Sequence, residues 1–154
     1  MPISAVDAFV LRYPEPNDFG ALRMTVLVRV TDSSGAVGWG EGIAMWPEAC
    51  RATCLIVREG LAPLVMGQAA SDVVRLWHDM ARHLWWYGEG GIANFALSAI
   101  DMALWDLRGK VAGQPVAALL GGTPGLLRCY ASSMKRDITP AEEAERFRRL
   151  RGEH

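Results

Sequence analysis

Apolar and polar residues alternate along the first third of the chain, which predicts β-strands rather than helices. The clearest stretch runs from Met24 to Asp32, where one face would carry Met24, Val26, Val28 and Val30. Ile3 to Arg12 predicts a strand before it, and Val37 to about Glu41 predicts one after the turn at Ser33-Ser34-Gly35. These three strands together predict an antiparallel meander.

The segment between the first two predicted strands contains strong turn signals. It reads Tyr13-Pro14-Glu15-Pro16-Asn17-Asp18-Phe19-Gly20, with two prolines and an Asn-Asp pair. Proline cannot donate to a ladder of backbone hydrogen bonds, and Asn and Asp favour turns. The sequence therefore predicts an irregular loop here.

From Pro47 onward the apolar spacing becomes helical. Proline favours a first helical turn, Ser and Asp favour the residue before a helix, and glycine favours the position after its end. These signals predict four helices: Pro47 to about Arg58, from Ser71-Asp72 to near Leu84, about Ile92 to Val111 with a stop at Gly113, and a short one from Pro115 to Gly121-Gly122.

The pattern changes again after residue 122. Leu127 to Ser132 predicts one buried strand, and Thr139-Pro140-Ala141-Glu142 predicts a capping box that opens a last helix to about Arg151. A strand followed by a helix is the first unit of an alternating series. Because a lone parallel strand has no neighbour to pair with, we expect more protein to follow this unit.

Composition and charge narrow the function classes. The net charge is -1 with Lys and Arg spread along the chain, so we expect neither nucleic acid nor an anionic membrane as a partner. No apolar stretch is long enough for a membrane helix. The three cysteines form no CxxC pair, and Asp7 interrupts any signal-peptide pattern, which favours a cytoplasmic protein.

The chain is unusually apolar for its size. Counting glycine and leaving out tyrosine, about 59% of its residues are apolar, against roughly 45–50% in an average soluble protein. The excess fits either a tightly packed small domain or a piece whose apolar surface is covered by more protein.

Two acids, Asp101 and Asp106, lie in the predicted third helix among apolar residues. The helix is apolar nearly all round, so we expect it to be buried on two sides. Asp106 precedes Lys110 by four residues, and Asp101 lies on the same side of the helical wheel as Arg108. Paired charges favour a structural role for both acids, with catalysis as the alternative.

Other candidate motifs have simpler structural interpretations. Gly38 to Gly42 lacks the spacing of a nucleotide-binding loop and fits a strand that needs small residues. Cys50 and Cys54 fit buried thiols, and His78 and His83 point too far apart on a helix to bind one ion. The aromatic run Trp85-Trp86-Tyr87 could anchor an interface or a ligand, but interior packing is the preferred interpretation.

The stretch from Ala96 to Gly122 carries a resemblance to a known family. It matches more than a dozen positions of a family signature at fixed spacing: Ala96, Ser98, Ala99, Ile100, Asp101, Ala103, Leu104, Trp105, Asp106, Leu107, Gly109, Lys110, Pro115, Val116, Leu119, Leu120, Gly121 and Gly122. In these positions the chain resembles the mandelate racemase and muconate lactonizing enzyme group of the enolase superfamily.

The resemblance implies an α+β fold: a three-stranded antiparallel meander and a helical block that cap the start of a TIM-like barrel. Residues 1-122 would form the capping domain and 123-154 the first strand and helix of an incomplete barrel. The family removes the proton α to a carboxylate, with Mg²⁺ stabilising the enediolate. Its bases and metal ligands lie on barrel strands that have no counterpart here, so we assign no catalytic and no metal-binding residue.

The resemblance also assigns roles to individual residues. Asp101, Trp105, Asp106, Lys110, Pro115 and Gly121 would be framework. The loops Tyr13 to Leu22 and Ile43 to Pro47 would close over the substrate, with Tyr13, Phe19 and Trp46 as the enclosing side chains. Mg²⁺ would act in the complete enzyme without being bound by this chain.

Three hypotheses for the chain follow. It is the N-terminal part of a racemase, cycloisomerase or acid-sugar dehydratase, inactive alone; a stand-alone binding or assembly module; or one half of a split enzyme. Expected partners are a small carboxylate or acid-sugar substrate, the chain's own missing barrel or a partner chain, and a homo-oligomer.

Overall fold

A computed structural model describes residues 1–15, 20–88, 90–123, 125–130 and 138–152. The chain divides into two compact units. The first comprises Met1–Tyr13 and Arg23–Pro124, and the second comprises Pro14–Leu22 and Gly125–His154. None of the described helices is long and apolar enough to cross a membrane.

The predicted meander is confirmed. Strands β1 (Ile3–Glu15), β2 (Ala21–Asp32) and β3 (Val37–Gly42) form one sheet in the order β1-β2-β3. β2 and β3 are antiparallel, with Arg29 opposite Trp39. Alternate residues of β2 are fully buried, as their spacing predicts: Val26, Val28 and Val30.

The loop predicted from Tyr13 to Gly20 is shorter than expected. β1 continues through Tyr13 and Pro14 to Glu15, and β2 begins at Ala21. Proline is tolerated because β1 is an edge strand, where one side of the backbone needs no donor to a neighbouring strand. Residues 16–19, including Phe19, lie outside the described residues.

The helical block follows the predicted order. Its helices are α1 (Pro47–Leu55), α2 (Ala62–Val65), α3 (Val73–Leu84), α4 (Gly91–Ala112), α5 (Val116–Leu119) and, in the second unit, α6 (Pro140–Gly152). A single 3₁₀ turn, Trp85–Tyr87, follows α3. Gly113 ends α4 in the left-handed conformation, with φ 64° and ψ 28°.

The sequence predicts that the first helix ends near Arg58, and this prediction is wrong. A π-helical turn, Ile56–Leu61, joins α1 directly to α2. Such a turn accommodates an irregularity without ending a helix, and here it comes just before Pro63, which has no backbone N–H. Arg58, within the turn, donates a hydrogen bond to the Ala8 carbonyl of β1.

Helix α4 packs directly on β3 through glycine. A Cβ atom at Gly40 would lie 2.0 Å from the Ala99 carbonyl oxygen, and one at Gly38 would lie 2.0 Å from that of Ala103. At Gly42 the corresponding distance to the Phe95 oxygen is 3.1 Å. Alternate strand residues are about 6.6 Å apart and every fourth helix residue about 6 Å apart, so the two backbones stay matched along the contact.

Two side chains of α4 bind the free edge of β3. Trp39 donates its backbone N–H to Asp106 Oδ2 at 2.8 Å, and Lys110 Nζ donates to the Val37 carbonyl at 3.1 Å. Lys110 also pairs with Asp106 at 2.7 Å. Because β3 is an edge strand, these bonds satisfy backbone groups that have no neighbouring strand.

The second unit confirms the predicted capping box and last helix. Thr139 N donates to Glu142 Oε2 at 2.8 Å, and Glu142 N donates to Thr139 Oγ1 at 3.3 Å. The strand predicted from Leu127 does not form within the described residues 125–130. Leu127 and Tyr130 are 87% and 89% exposed, so these residues have no buried strand face. The rest of the predicted strand, residues 131 and 132, lies outside the described residues.

We predict that Gly40→Ala destabilises the fold by about 3 kcal/mol or more, because its Cβ would overlap the backbone of α4. Chemical denaturation of both proteins measures the change. Gly60→Ala is the matched control, since its Cβ would meet nothing closer than 3.7 Å. Equal stability of the two variants would contradict the direct contact of the backbones.

We predict that Asp106→Ala costs about 1–2 kcal/mol, because the Trp39 N–H loses its acceptor. Asp106→Asn keeps an acceptor and loses only the ion pair, so its cost should be about 0.5 kcal/mol. Asp79→Ala, which removes an exposed ion pair with Arg75, is the control. If Asp106→Ala behaves like this control in thermal unfolding, the bond to the strand edge adds no stability.

Candidate functional site

The segment between β3 and α1 presents a short apolar loop at the surface. Ile43, Met45 and Trp46 are 62%, 44% and 66% exposed, while Ala44 between them is buried. Only Ala44 therefore fastens the loop to the core. The other three side chains point away from it and are available for contact.

The backbone of this loop is strained at one residue. Met45 has a φ of 36°, and the next N–H, that of Trp46, donates to the Ala44 carbonyl. A positive φ is unfavourable for any residue that has a Cβ atom, and such strain is concentrated at functional sites. The surrounding structure holds it in place: β3 is locked on α4 before the loop, and the Cys50 N–H binds the Trp46 carbonyl at 2.9 Å after it.

The predicted enclosing residues have different positions. Trp46 lies in the loop and is exposed. Tyr13, 40% exposed, lies in strand β1 instead of a loop, and no ring contact joins it to Trp46 in the described part of the chain. Ile43 and Met45 lie within the predicted loop Ile43 to Pro47, but the sequence prediction assigned an enclosing side chain there only to Trp46. The exposure and strain of Met45 have no sequence signal, since methionine rarely adopts a positive φ.

Asp101 and Asp106 have different environments. The pairing of Asp106 with Lys110 is confirmed, but that of Asp101 with Arg108 is wrong. The Arg108 guanidinium lies over the Trp105 ring, 5.1 Å from its centroid. Asp101 and Arg108 are seven residues apart, which separates them by about 10 Å along the helix. Trp105 precedes Arg108 by three residues and is therefore its neighbour on the helix surface.

The Asp101 carboxyl has no ion pair or hydrogen bond among the described residues. It is half-buried on α4, and this desolvation raises its pKa above the ordinary value. A raised pKa is typical of catalytic acids, but a reaction also needs a base or an electrophile beside the acid. No such group contacts Asp101 in the described structure.

The two buried thiols and the possible metal ligands in the described part of the chain form no reactive centre. Cys50 and Cys54 are buried, and the resulting desolvation raises the pKa of both thiols, which makes them poor nucleophiles. No three of the described His, Cys, Asp or Glu side chains come close enough together to bind a metal ion.

The remaining signature residues shape the end of the helical block. Pro115 precedes α5, and its carbonyl accepts the Ala118 N–H at 3.0 Å. Gly121 ends the segment with a φ of 82°. Gly109, inside α4, leaves room for the Gln114 carbonyl, which a Cβ atom would approach to 2.9 Å. These contacts are structural, like those of Asp106 and Lys110.

The preferred interpretation of Trp85-Trp86-Tyr87 as interior packing is wrong. These side chains are 67%, 82% and 60% exposed. The buried stripe of α3 ends at Leu84, so the turn that follows extends beyond the core. A cleft of about 440 Å³ lies beside Trp85 and is partly lined by Trp77 and Asn94.

Comparison with known proteins identifies relatives of this framework. L-rhamnonate dehydratase from Saccharopolyspora erythraea is 39% identical over 115 residues, which cover 74% of this chain and 28% of the dehydratase. The 3,6-anhydro-alpha-L-galactonate cycloisomerase from Streptomyces coelicolor is 33% identical over 125 residues, 79% of this chain and 34% of the cycloisomerase. The chain thus spans about a third or less of the length of these enzymes.

A solved structure matches nearly the whole chain. A member of the enolase superfamily from Polaromonas sp. JS666 superposes with a TM-score of 0.83 at 33% identity, covering 99% of this chain and 42% of that protein. Residues 20–121 match the model for the mandelate racemase / muconate lactonizing enzyme N-terminal domain. The chain therefore belongs to the mandelate racemase / muconate lactonizing enzyme family of the enolase superfamily.

Proposed function

We propose that this chain is the N-terminal part of an enzyme that removes the proton α to a carboxylate, and that it supplies loops that enclose the substrate. The strained apolar loop between β3 and α1 is the observation that carries this proposal. The relatives support the reaction class, since they are a dehydratase and a cycloisomerase of sugar acids.

The described residues favour a supporting role over a catalytic one. A proton α to a carboxylate is weakly acidic, so its removal needs a base and a positively charged group beside the developing oxyanion. The described part of this chain does not bring such a pair of groups together. Asp101 has no ion pair, and no cluster of its described side chains fits a metal ion. We propose that the bases, Mg²⁺ and its ligands belong to the remainder of the enzyme, and that this chain is inactive by itself.

The loop would act by excluding water and selecting the substrate. Ile43, Met45 and Trp46 present three exposed apolar side chains, and Trp46 adds an indole N–H. Closing such side chains over a reacting centre removes water and strengthens the electrostatic interactions inside it. Because the loop contributes little to the core, its side chains select the substrate without determining the fold.

A stand-alone binding or assembly module is the second candidate, and exposed apolar side chains outside the loop favour it. Leu55, Val111 and Leu120 are 55%, 63% and 64% exposed. Such a module would bind another protein without needing a barrel domain. A split enzyme would combine the two candidates, since this chain would bind a separate chain that supplies the barrel.

We predict that this chain restores activity to a relative without its own capping domain. The chain is mixed, with Mg²⁺, with the separately produced remainder of the S. erythraea L-rhamnonate dehydratase, and dehydration of L-rhamnonate is measured. The mixture should be active and each component alone inactive. Binding without activity favours the assembly module, and absence of binding contradicts the proposal.

We predict that Trp46→Ala in this mixture changes the ratio of the kcat/KM values for different sugar acids by at least about 10-fold, because a contact with the substrate is lost. The melting temperature should change little, since Trp46 is 66% exposed. Leu55→Ala, equally apolar and 55% exposed outside the loop, is the control and should leave both quantities unchanged. A loss of stability with unchanged preference would indicate packing instead.

A further inference from the structure

The side chain of Thr25 joins β2 to β3 where the two strands separate. The last pair of their ladder is Val26 opposite Gly42, and Thr25 is the residue before Val26. Its hydroxyl donates to Glu41 Oε1 at 2.6 Å, which is the length of a charge-assisted O–H···O bond. This bond therefore ties the end of β3 to β2 just before the loop that begins at Ile43.

The surroundings of this bond make it difficult to replace. Thr25 is 7% exposed, so water does not readily substitute for a lost acceptor. The Gly42 carbonyl, at 3.4 Å from the hydroxyl, is a second and weaker acceptor. Glu41 itself is exposed, and the bond fixes a long side chain that would otherwise turn freely in solvent. The pair thus keeps a defined geometry although one of its members lies at the surface.

Helix α4 supports β3 less closely toward the same end of the strand. A Cβ atom would lie 2.0 Å from the helix backbone at Gly38 and Gly40, but 3.1 Å from it at Gly42. The side-chain bonds from α4 reach Val37 and Trp39, in the first half of the strand. The bond from β2 therefore adds a constraint where the helix holds the strand least tightly.

The loop after β3 needs both of its ends held in place. Met45 has a φ of 36°, and a strained residue of this kind persists only when the surrounding structure determines its conformation. The far end is held by the Cys50 N–H, which binds the Trp46 carbonyl at 2.9 Å. The near end follows directly on β3, whose last residues are tied to β2 by Thr25.

We propose that Thr25 and Glu41 are positioning residues for the substrate-enclosing loop. Their bond holds the end of β3, and through it the backbone of residues 43–46, in the conformation in which Trp46 meets the substrate. The two residues thus act on substrate selection through the loop. This inference rests on the proposed function, which assigns the loop to the substrate.

Hydrogen exchange of the whole chain tests the structural half of this proposal. It is measured while the amides of β2 remain protected, so that it reports local opening of the loop. Thr25→Val keeps the shape of the side chain and removes its hydroxyl. The N–H groups of Trp46 and Cys50 should then exchange at least about 10-fold faster, the effect of losing one hydrogen bond to a charged group. Unchanged exchange of both amides overturns the proposal.

Thr53→Val is the matched control. Thr53 is also fully buried beside the end of β3, since a Cβ atom at Gly42 would lie 3.5 Å from its methyl group. Its hydroxyl has no hydrogen-bond partner among the described residues, so the same substitution should leave the exchange of the loop unchanged.

Two further variants separate the hydroxyl from its acceptor. Thr25→Ser keeps the donor and should restore slow exchange. Glu41→Ala should have a smaller effect than Thr25→Val, because the hydroxyl can still donate to the Gly42 carbonyl. Equal effects of Thr25→Ser and Thr25→Val would indicate that packing of the methyl group, and not the hydrogen bond, holds the loop.

The mixture with the remainder of the S. erythraea dehydratase tests the functional half. Thr25→Val should change the ratio of the kcat/KM values for two sugar acids by at least about 3-fold, in the same direction as Trp46→Ala, because a displaced contact selects less well than a fixed one. An active mixture in which Thr25→Val and Thr53→Val behave alike overturns this inference alone. An inactive mixture contradicts the proposed function, while exchange of the loop still decides whether the pair positions it.

Discussion

Direct contact between the backbones of β3 and α4 is the constraint on which the first unit depends. The inner face of β3 has no side chains at Gly38, Gly40 and Gly42, so the helix approaches as closely as two backbones allow. This closeness brings Asp106 and Lys110 within reach of the strand edge. It also holds both ends of β3 in place, and therefore the start of the loop that follows Gly42.

The framework and the candidate site obey opposite rules. The contacts between α4 and β3 leave no room for a methyl group at Gly38 or Gly40. The residues that make these contacts are small or paired. The loop after β3 has one buried residue, Ala44, and one strained residue, Met45. Rigid support is what allows strain to persist in a short loop, since a mobile neighbour would relax it. The two acids that stand out in the sequence thus belong to the support or stand alone.

Much of the fold was predictable from spacing and punctuation. Alternating valines gave β2 its buried face, and Gly113 and Pro115 marked where α4 ends and α5 begins. The misses have physical reasons. A π-helical turn let a helix pass Gly60 and Pro63, and no described strand supports a ladder at Leu127. The site was less predictable than the fold, since exposure of Trp86 and strain at Met45 depend on where packing ends. The roles of Tyr13 and Trp46 stay predictions.

The glycines of β3 also determine when the chain can fold. A strand with three glycines has little preference for extended structure, so its place in the sheet depends on the helix that covers it. The hydrogen bonds from the Trp39 N–H to Asp106 and from Lys110 to the Val37 carbonyl span 67 and 73 residues. During synthesis, the third strand would therefore wait until α4 has left the ribosome. We expect the unit to form in one late, cooperative step instead of growing from its N-terminal hairpin.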